Sequence, residues 1–189
     1  MTDQYFSVPY RLPINVIVMP EATPIPDQQQ LIDEIPEPFR LASEVSTLDQ
    51  GTVRALRNMG DVADEISNFL ELQARKINVI MGYLLSMQDD PDLRHHTVSF
   101  GASEFCYTSA QPLVAGRLIQ VKIFLHDEAA AVFAYAEVIS CDQDADSHLI
   151  GAKFVTLREE DHEMLIRATL HVQSKLLKQR AEQRKGDNG

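Results

Sequence analysis

Residues 118–140 read LIQVKIFLHDEAAAVFAYAEVIS, and this stretch decides the fold. Leu118 to Leu125 and Ala131 to Ser140 are rich in β-branched and aromatic side chains, with the polar break His126-Asp127-Glu128 between them. Such side chains pack well on a pleated surface, and a short polar break between two such runs is a hairpin signal. Working outward, Thr97 to Gly101, Glu104 to Thr108 and His148 to Val155 have the same character, punctuated by Pro112, Gly116 and Asp142-Gln143-Asp144. Five short strands at this spacing predict an antiparallel meander that closes into a small barrel. Phe105, Val121, Ile123, Phe133, Val138 and Phe154 are the expected buried residues.

Beyond the barrel the period changes. Thr156-Leu-Arg-Glu159 has the form of a capping box, and Leu165, Ala168, Val172 and Leu176 make an apolar helical face behind it. The tail Gly186 to Gly189 is expected to be disordered. On the other side of the strands, Val62, Ile66, Phe69, Ile77, Ile80, Leu84 and Met87 recur at steps of three and four, with Gln73 in the one polar gap. Leu70, Met81 and Leu85 widen that stripe, and Gly60-Asp61 and Asp89-Asp90-Pro91 bound it. This spacing predicts an amphipathic helix about 40 Å long, more than one small barrel can cover. Ahead of it, Pro20, Pro24, Pro26, Pro36 and Pro38 predict irregular chain, because each removes a backbone donor. Arg11 to Met19 reads as a first strand.

The net charge of −11 and the lack of a broad basic face exclude duplex DNA as a partner. The basic end, Lys175 to Lys185, reads as a solvated helix terminus or a contact for an anionic partner. No run of 18 apolar residues predicts a membrane span, and the first residues lack the order of a secretory signal, so the expected location is the cytoplasm. Cys106 and Cys141 are expected to be reduced thiols. Metal sites and cofactors are not expected. Asp142-Gln-Asp144-Ala-Asp146 lacks the Gly and Glu of a calcium loop, His162-Glu163 has Ile166 where a zinc helix needs His, and His95 and His96 point to opposite faces of a strand. No nucleophile elbow surrounds Ser103 or Ser109, and no phosphate-cradling glycine loop is present, so no enzymatic activity is expected.

The block Val98 to Gln179 resembles a PilZ domain, a bacterial module often used to sense cyclic di-GMP. The resemblance rests on order: Val98-Ser-Phe-Gly-Ala-Ser-Glu-Phe105, then Gln111-Pro-Leu-Val-Ala-Gly116, Ala136-Glu-Val-Ile139, Ile150-Gly-Ala-Lys-Phe154 and a closing helix from Glu159. Tyr5-Phe-Ser-Val-Pro9 with Leu12-Pro13 resembles the first strand of the helix-inserted branch of that family, in which heptads assemble tetramers. The resemblance implies an α+β fold: a small six-stranded antiparallel barrel with a long inserted oligomerising helix and a C-terminal helix. The expected organisation is a first strand in residues 1–19, a Pro-rich acidic segment 20–55, an inserted helical segment 56–90, and the barrel with its closing helix in 97–185.

Ligand-binding members carry Arg-x-x-x-Arg ahead of the barrel and Asp/Asn-x-Ser-x-x-Gly on a strand. Here only Arg11 precedes the barrel, with Ser7 and Asn15 four positions to either side, while Arg54 and Arg57 are three apart inside the insertion. Ser99, Gly101 and Glu104 replace the acid, the serine and the glycine. Each lost charge-assisted hydrogen bond costs about 1.5–3 kcal/mol, so two or three losses take micromolar affinity to millimolar or worse. Arg11, Ser99 and Gly101 are therefore the candidate ligand positions of a degenerate site.

The expected function is a non-enzymatic adaptor in cyclic di-GMP-linked regulation of motility, pili or biofilm, acting on an unidentified protein. It would form a dimer or tetramer through Ile66, Phe69, Gln73, Ile77, Ile80, Leu84 and Met87. Two alternatives stand beside it: a cyclic di-GMP receptor with a non-standard site, and an enzyme or small-molecule pocket on a split barrel. A competing account of the stripe has residues 20–45 folding back to cover it.

Overall fold

The computed structural model of the chain describes residues 7–45 and 61–186. Tyr5 and Phe6, residues 46–60 with Arg54, Arg57 and Gly60, the side chain of Val62 and the tail from 187 lie outside the described residues or side chains. Seven strand segments form one antiparallel sheet: β1 (Ser7–Pro9), β2 (Pro13–Val18), β3 (Arg94–Gly101), β4 (Glu104–Ser109), β5 (Leu118–Leu125), β6 (Ala130–Asp144) and β7 (Ser147–Thr156). Pairing runs β3-β2-β5-β6-β7-β4 and returns to β3, which closes a six-stranded barrel.

β1 and β2 are two halves of one broken strand, since both pair with β3, Val8 opposite Phe100 and Ile14 opposite His95. The break falls at Tyr10-Arg11-Leu12, bracketed by Pro9 and Pro13, which cannot donate to a ladder. Thr97 repairs it. Its N–H donates to Leu12 O at 3.0 Å, its hydroxyl donates to Tyr10 O at 2.7 Å, and the same oxygen accepts from Leu12 N–H at 2.8 Å.

The barrel interior holds Ile14, Val16, Phe100, Phe105, Tyr107, Val121, Ile123, Val138 and Ile150. Helix α4 (Glu159–Gly186) closes it with Met164, Leu165, Ala168 and Val172. Of the expected core, Phe105, Val121, Ile123, Phe133 and Val138 are buried, while Phe154 is half-buried. Phe154 meets Phe105 in a tilted ring contact at 5.2 Å but lies where the chain leaves the barrel and a cleft opens beside it. β6 is longer than its apolar run, because Ala145 takes a left-handed φ of 49° and moves the turn beyond Asp144. Cys106 and Cys141 are free thiols. Cys141 packs toward the core, while Cys106, between inward Phe105 and Tyr107, points out, so the two face opposite sides of the sheet.

Two sequence expectations need correction. Residues 20–27 are irregular as expected, but 28–45 are largely helical. Asp27 and Gln30 make a reciprocal capping box on α1 (Gln28–Glu34), and residues 37–45, labelled α2, are helical after Pro36. Pro26 and Pro36 stand just ahead of the helices, where a missing N–H costs nothing. Leu31, Ile35, Phe39 and Ala42 cover the outer face of the β5–β6 hairpin, on Phe124, Ala131, Phe133 and Tyr135, so β6 is buried on both faces. The segment thus packs on the barrel and, in one cluster with Met81, Leu84 and Leu85, covers only the C-terminal end of the stripe, leaving Ile66, Phe69, Ile77 and Ile80 exposed. Second, Thr156 does not cap α4. It ends β7, and its hydroxyl donates to Pro26 O at 2.8 Å, fastening the front of α1 to the barrel.

Helix α3 (Asp61–Ser86) touches the barrel only near its C-terminal end, through buried Met81 and Leu85. Asn15 of β2 fixes its exit. The amide donates to Asp89 Oδ1 at 2.8 Å and to Asp90 O at 3.1 Å, and its oxygen accepts from Asp90 N–H at 2.8 Å. Arg94 braces the same Asp89 carboxylate at 3.0 and 2.9 Å. Asn15 is 3% exposed, so Asn15→Ala strands these groups and is expected to destabilise the fold by about 1–3 kcal/mol in urea titration, whereas a cost within 0.5 kcal/mol contradicts the anchor.

Candidate functional site

Two features are candidates, a cleft at one end of the barrel and the free face of α3. The cleft forms where the Ala102-Ser103 turn joins β3 to β4, facing Lys153, Phe154 and Val155 of β7 and the start of α4. Its volume is about 570 Å³. Phe154 N–H donates to Ser103 O at 3.0 Å, which ties the turn to β7, and Gln28 closes one side by donating to Leu157 O at 3.0 Å.

Acidic residues stand beside both cations of the cleft. Glu104 stands opposite Lys153 in the ladder, and Lys153 stands opposite Glu137 on its other side. Arg158 donates from Nε and a terminal nitrogen to the two oxygens of Asp161, both at 2.8 Å. Asp161 is fully buried, and burial pushes its carboxyl upward against the opposing pull of Arg158. The Arg158 guanidinium is held above its ordinary value by that carboxylate although burial opposes it. A fork-to-fork pair of this kind consumes the guanidinium face that a phosphate would need.

The candidate ligand positions are strung along β3 rather than gathered. Ser99 pairs with Pro9 and Gly101 with Ser7, so the position where a first arginine would stand is a serine beside Gly101. Arg11 lies in the break between β1 and β2, where its charge bears on His96, whose pKa is lowered by burial first and then by Arg11 and Arg94. From His96 to Gly101 is roughly 15 Å along a strand. Asn15, four residues beyond Arg11, is committed to the exit of α3. The cleft itself, with Gln28, Arg158 and His162, was not anticipated from the sequence. An acidic residue three positions after Arg158 was its only local signal. Among the described residues no three His, Cys, Asp or Glu side chains come together as a metal site, and no helix is long and apolar enough to cross a membrane.

The second feature is apolar. Ile66, Phe69, Ile77, Ile80 and Met87 are exposed, Phe69 by 59% and Ile80 by 60%, while Gln73 and Leu84 are half-buried. Leu84 packs partly against the outer-face cluster, and Met87 follows the last helical residue. Leu72, Val79 and Tyr83, also exposed, flank this stripe. Four turns of helix therefore show water a continuous apolar face that their own barrel does not reach.

A family model described as the PilZ domain matches residues 87–171. No curated protein matches the chain. Among solved structures, a protein from Xanthomonas campestris, described as a tetrameric PilZ domain self-assembled via an unusual helical bundle, is similar at TM-score 0.54 and 16% identity, over 93% of this chain and 91% of that one. The inhibitor of motility from Bacillus subtilis is similar at TM-score 0.49 and 10% identity, over 93% of this chain and 53% of that one. The first likeness is one of fold.

Proposed function

We propose, from the match of residues 87–171 to the PilZ domain, that the chain is a non-enzymatic adaptor of cyclic di-GMP-linked signalling that works through protein contacts as a homo-oligomer. The observation that carries this reading is the exposed apolar face of α3, with Phe69, Val79 and Ile80 each more than half exposed. Leaving large apolar side chains in water forfeits about 1.5–3 kcal/mol each relative to burying them, so a face of this extent marks an interface. The bacterial relative with a similar fold is described as assembling through a helical bundle, which agrees with a dimer or tetramer built on α3. The barrel then presents its outer surfaces to a protein partner in the cytoplasm.

The usual nucleotide mode is not supported. Arg11 has no second arginine, Ser99 and Gly101 offer no carboxylate, Asp161 takes up the Arg158 fork, and Glu104 and Glu137 stand opposite Lys153 in the ladder. Cyclic di-GMP titrated by calorimetry into the full chain is expected to show a Kd weaker than about 1 mM, unchanged by Arg11→Ala, in line with the two or three lost contacts. The second reading, a receptor with a non-standard site, is favoured by the cleft of about 570 Å³ beside Ser103. A Kd below about 10 μM, about 7 kcal/mol of binding, would establish that receptor reading in place of the first.

A further inference from the structure

The seam on α3 has a centre. Counted from Gln73, apolar residues stand four, seven and eleven positions back at Phe69, Ile66 and Val62, and four, seven and eleven positions forward at Ile77, Ile80 and Leu84. A regular heptad seam alternates steps of three and four and is symmetric about none of its residues. Two successive steps of four at Gln73 break that alternation and make the stripe read the same in both directions. The inner residues of this pattern, Ile66, Phe69, Ile77 and Ile80, are all exposed, and the barrel takes the helix on one flank of the stripe, through Met81 and Leu85.

Charge is divided about the same point. Residues 61–71 contain Asp61, Asp64, Glu65 and Glu71 and no base, and residues 72–88 contain Arg75 and Lys76 and no acid. A parallel pair would set the acidic half of one helix beside the acidic half of the other and align the helix dipoles. An antiparallel pair sets the acidic half beside the basic half and opposes the dipoles.

We propose that two copies of this chain pair α3 antiparallel about a two-fold axis through Gln73, with Ile77 of each copy on Phe69 of the other and Ile80 on Ile66. The same patch then serves both copies, as a two-fold contact requires, and the two Gln73 amides meet at the axis, where each can donate to and accept from the other. The barrels go to opposite ends of the pair, and this pair is the unit from which a dimer or a tetramer is built. The inference rests on the assembly reading above and adds orientation and register to it.

Cross-linking tests it in the full chain carrying Cys106→Ser and Cys141→Ala. In the antiparallel pair the two copies of residue 80 lie fourteen residues apart, about 21 Å, beyond disulfide reach, while 66 and 80 of opposite copies face each other. The Ile66→Cys/Ile80→Cys variant, oxidised and cut by trypsin at Arg75 and Lys76, is expected to give the mixed 66–80 product about tenfold over 66–66 and 80–80 together. Ile80→Cys alone is expected to give none. A spin label at exposed Asn78, off the seam, gives a second reading, since antiparallel pairing sets the two labels about 15 Å apart along the axis and parallel pairing sets them side by side. An oligomeric mass with 66–66 and 80–80 products dominant overturns the orientation and leaves assembly standing. A monomeric mass for the unmodified protein overturns both.

Discussion

Replacing Ile77 and Ile80 together by aspartate is expected to bring the mass measured by light scattering down to the 21.3 kDa of one chain, from a multiple of it in the wild type. Both side chains are exposed in the single chain, so the substitution removes nothing from its core, and the monomer should keep its circular dichroism and its thermal unfolding. In an assembly each isoleucine contributes about 1.5–3 kcal/mol by burial, and a carboxylate in its place must be desolvated or must break the seam. Losing roughly 6 kcal/mol per copy is about four orders of magnitude in an association constant, enough to dissociate a micromolar complex outright. A wild type already monomeric across micromolar concentrations would contradict the assembly reading. So would a double variant of unchanged mass.

The other large effect lies in the barrel. Asp161→Ala is expected to destabilise the fold by about 3–5 kcal/mol, because it leaves the Arg158 guanidinium, only 13% exposed, without its partner. Arg158→Ala is expected to cost a similar amount by stranding a fully buried carboxylate. Replacing both, Arg158→Met with Asp161→Leu, should restore most of the loss, since a well-packed apolar pair avoids the desolvation cost of two charges. Chemical denaturation of the three variants supplies the double-mutant comparison. Single variants that each cost under 1 kcal/mol would mean the pair is solvated and that the start of α4 is held by something else.

These two regions divide along the line between what a sequence determines locally and what needs the third dimension. β5 was legible to the residue, Leu118 to Leu125, because β-branched and aromatic residues bounded by turn signals leave few alternatives. The α3 stripe was legible because a period near 3.6 survives over seven turns, and exposure of Phe69 and Ile80 is what that period implies beside a barrel too small to cover it. The order of the strand motifs was enough to point to the family. Residues 28–45 are largely helical in spite of Pro36 and Pro38. The effect of proline depends on position, and Asp27 with Gln30 marked a helix start that the prolines obscured.

Other decisions belonged to the tertiary structure alone. Thr156 had the spacing of an N-cap, yet its hydroxyl went to Pro26, because a residue 130 positions away offers a carbonyl and the helix begins only at Glu159. Asn15 looked like a lost nucleotide contact and proved to be the anchor of α3, a role that exists only once Asp89 and Asp90 are folded beside β2. The cleft at Ser103 joins residues from α1, the β3–β4 turn, β7 and the start of α4, and no linear spacing encodes that meeting. Periodicity and turn chemistry act between neighbours within a few residues, so the amino-acid sequence by itself determined the strands, the long helix and its unsatisfied face. Which of the distant polar groups meet is decided by chain closure over 70 to 130 residues, and only the closed barrel settled that Thr156 answers Pro26 and Asn15 answers the end of α3.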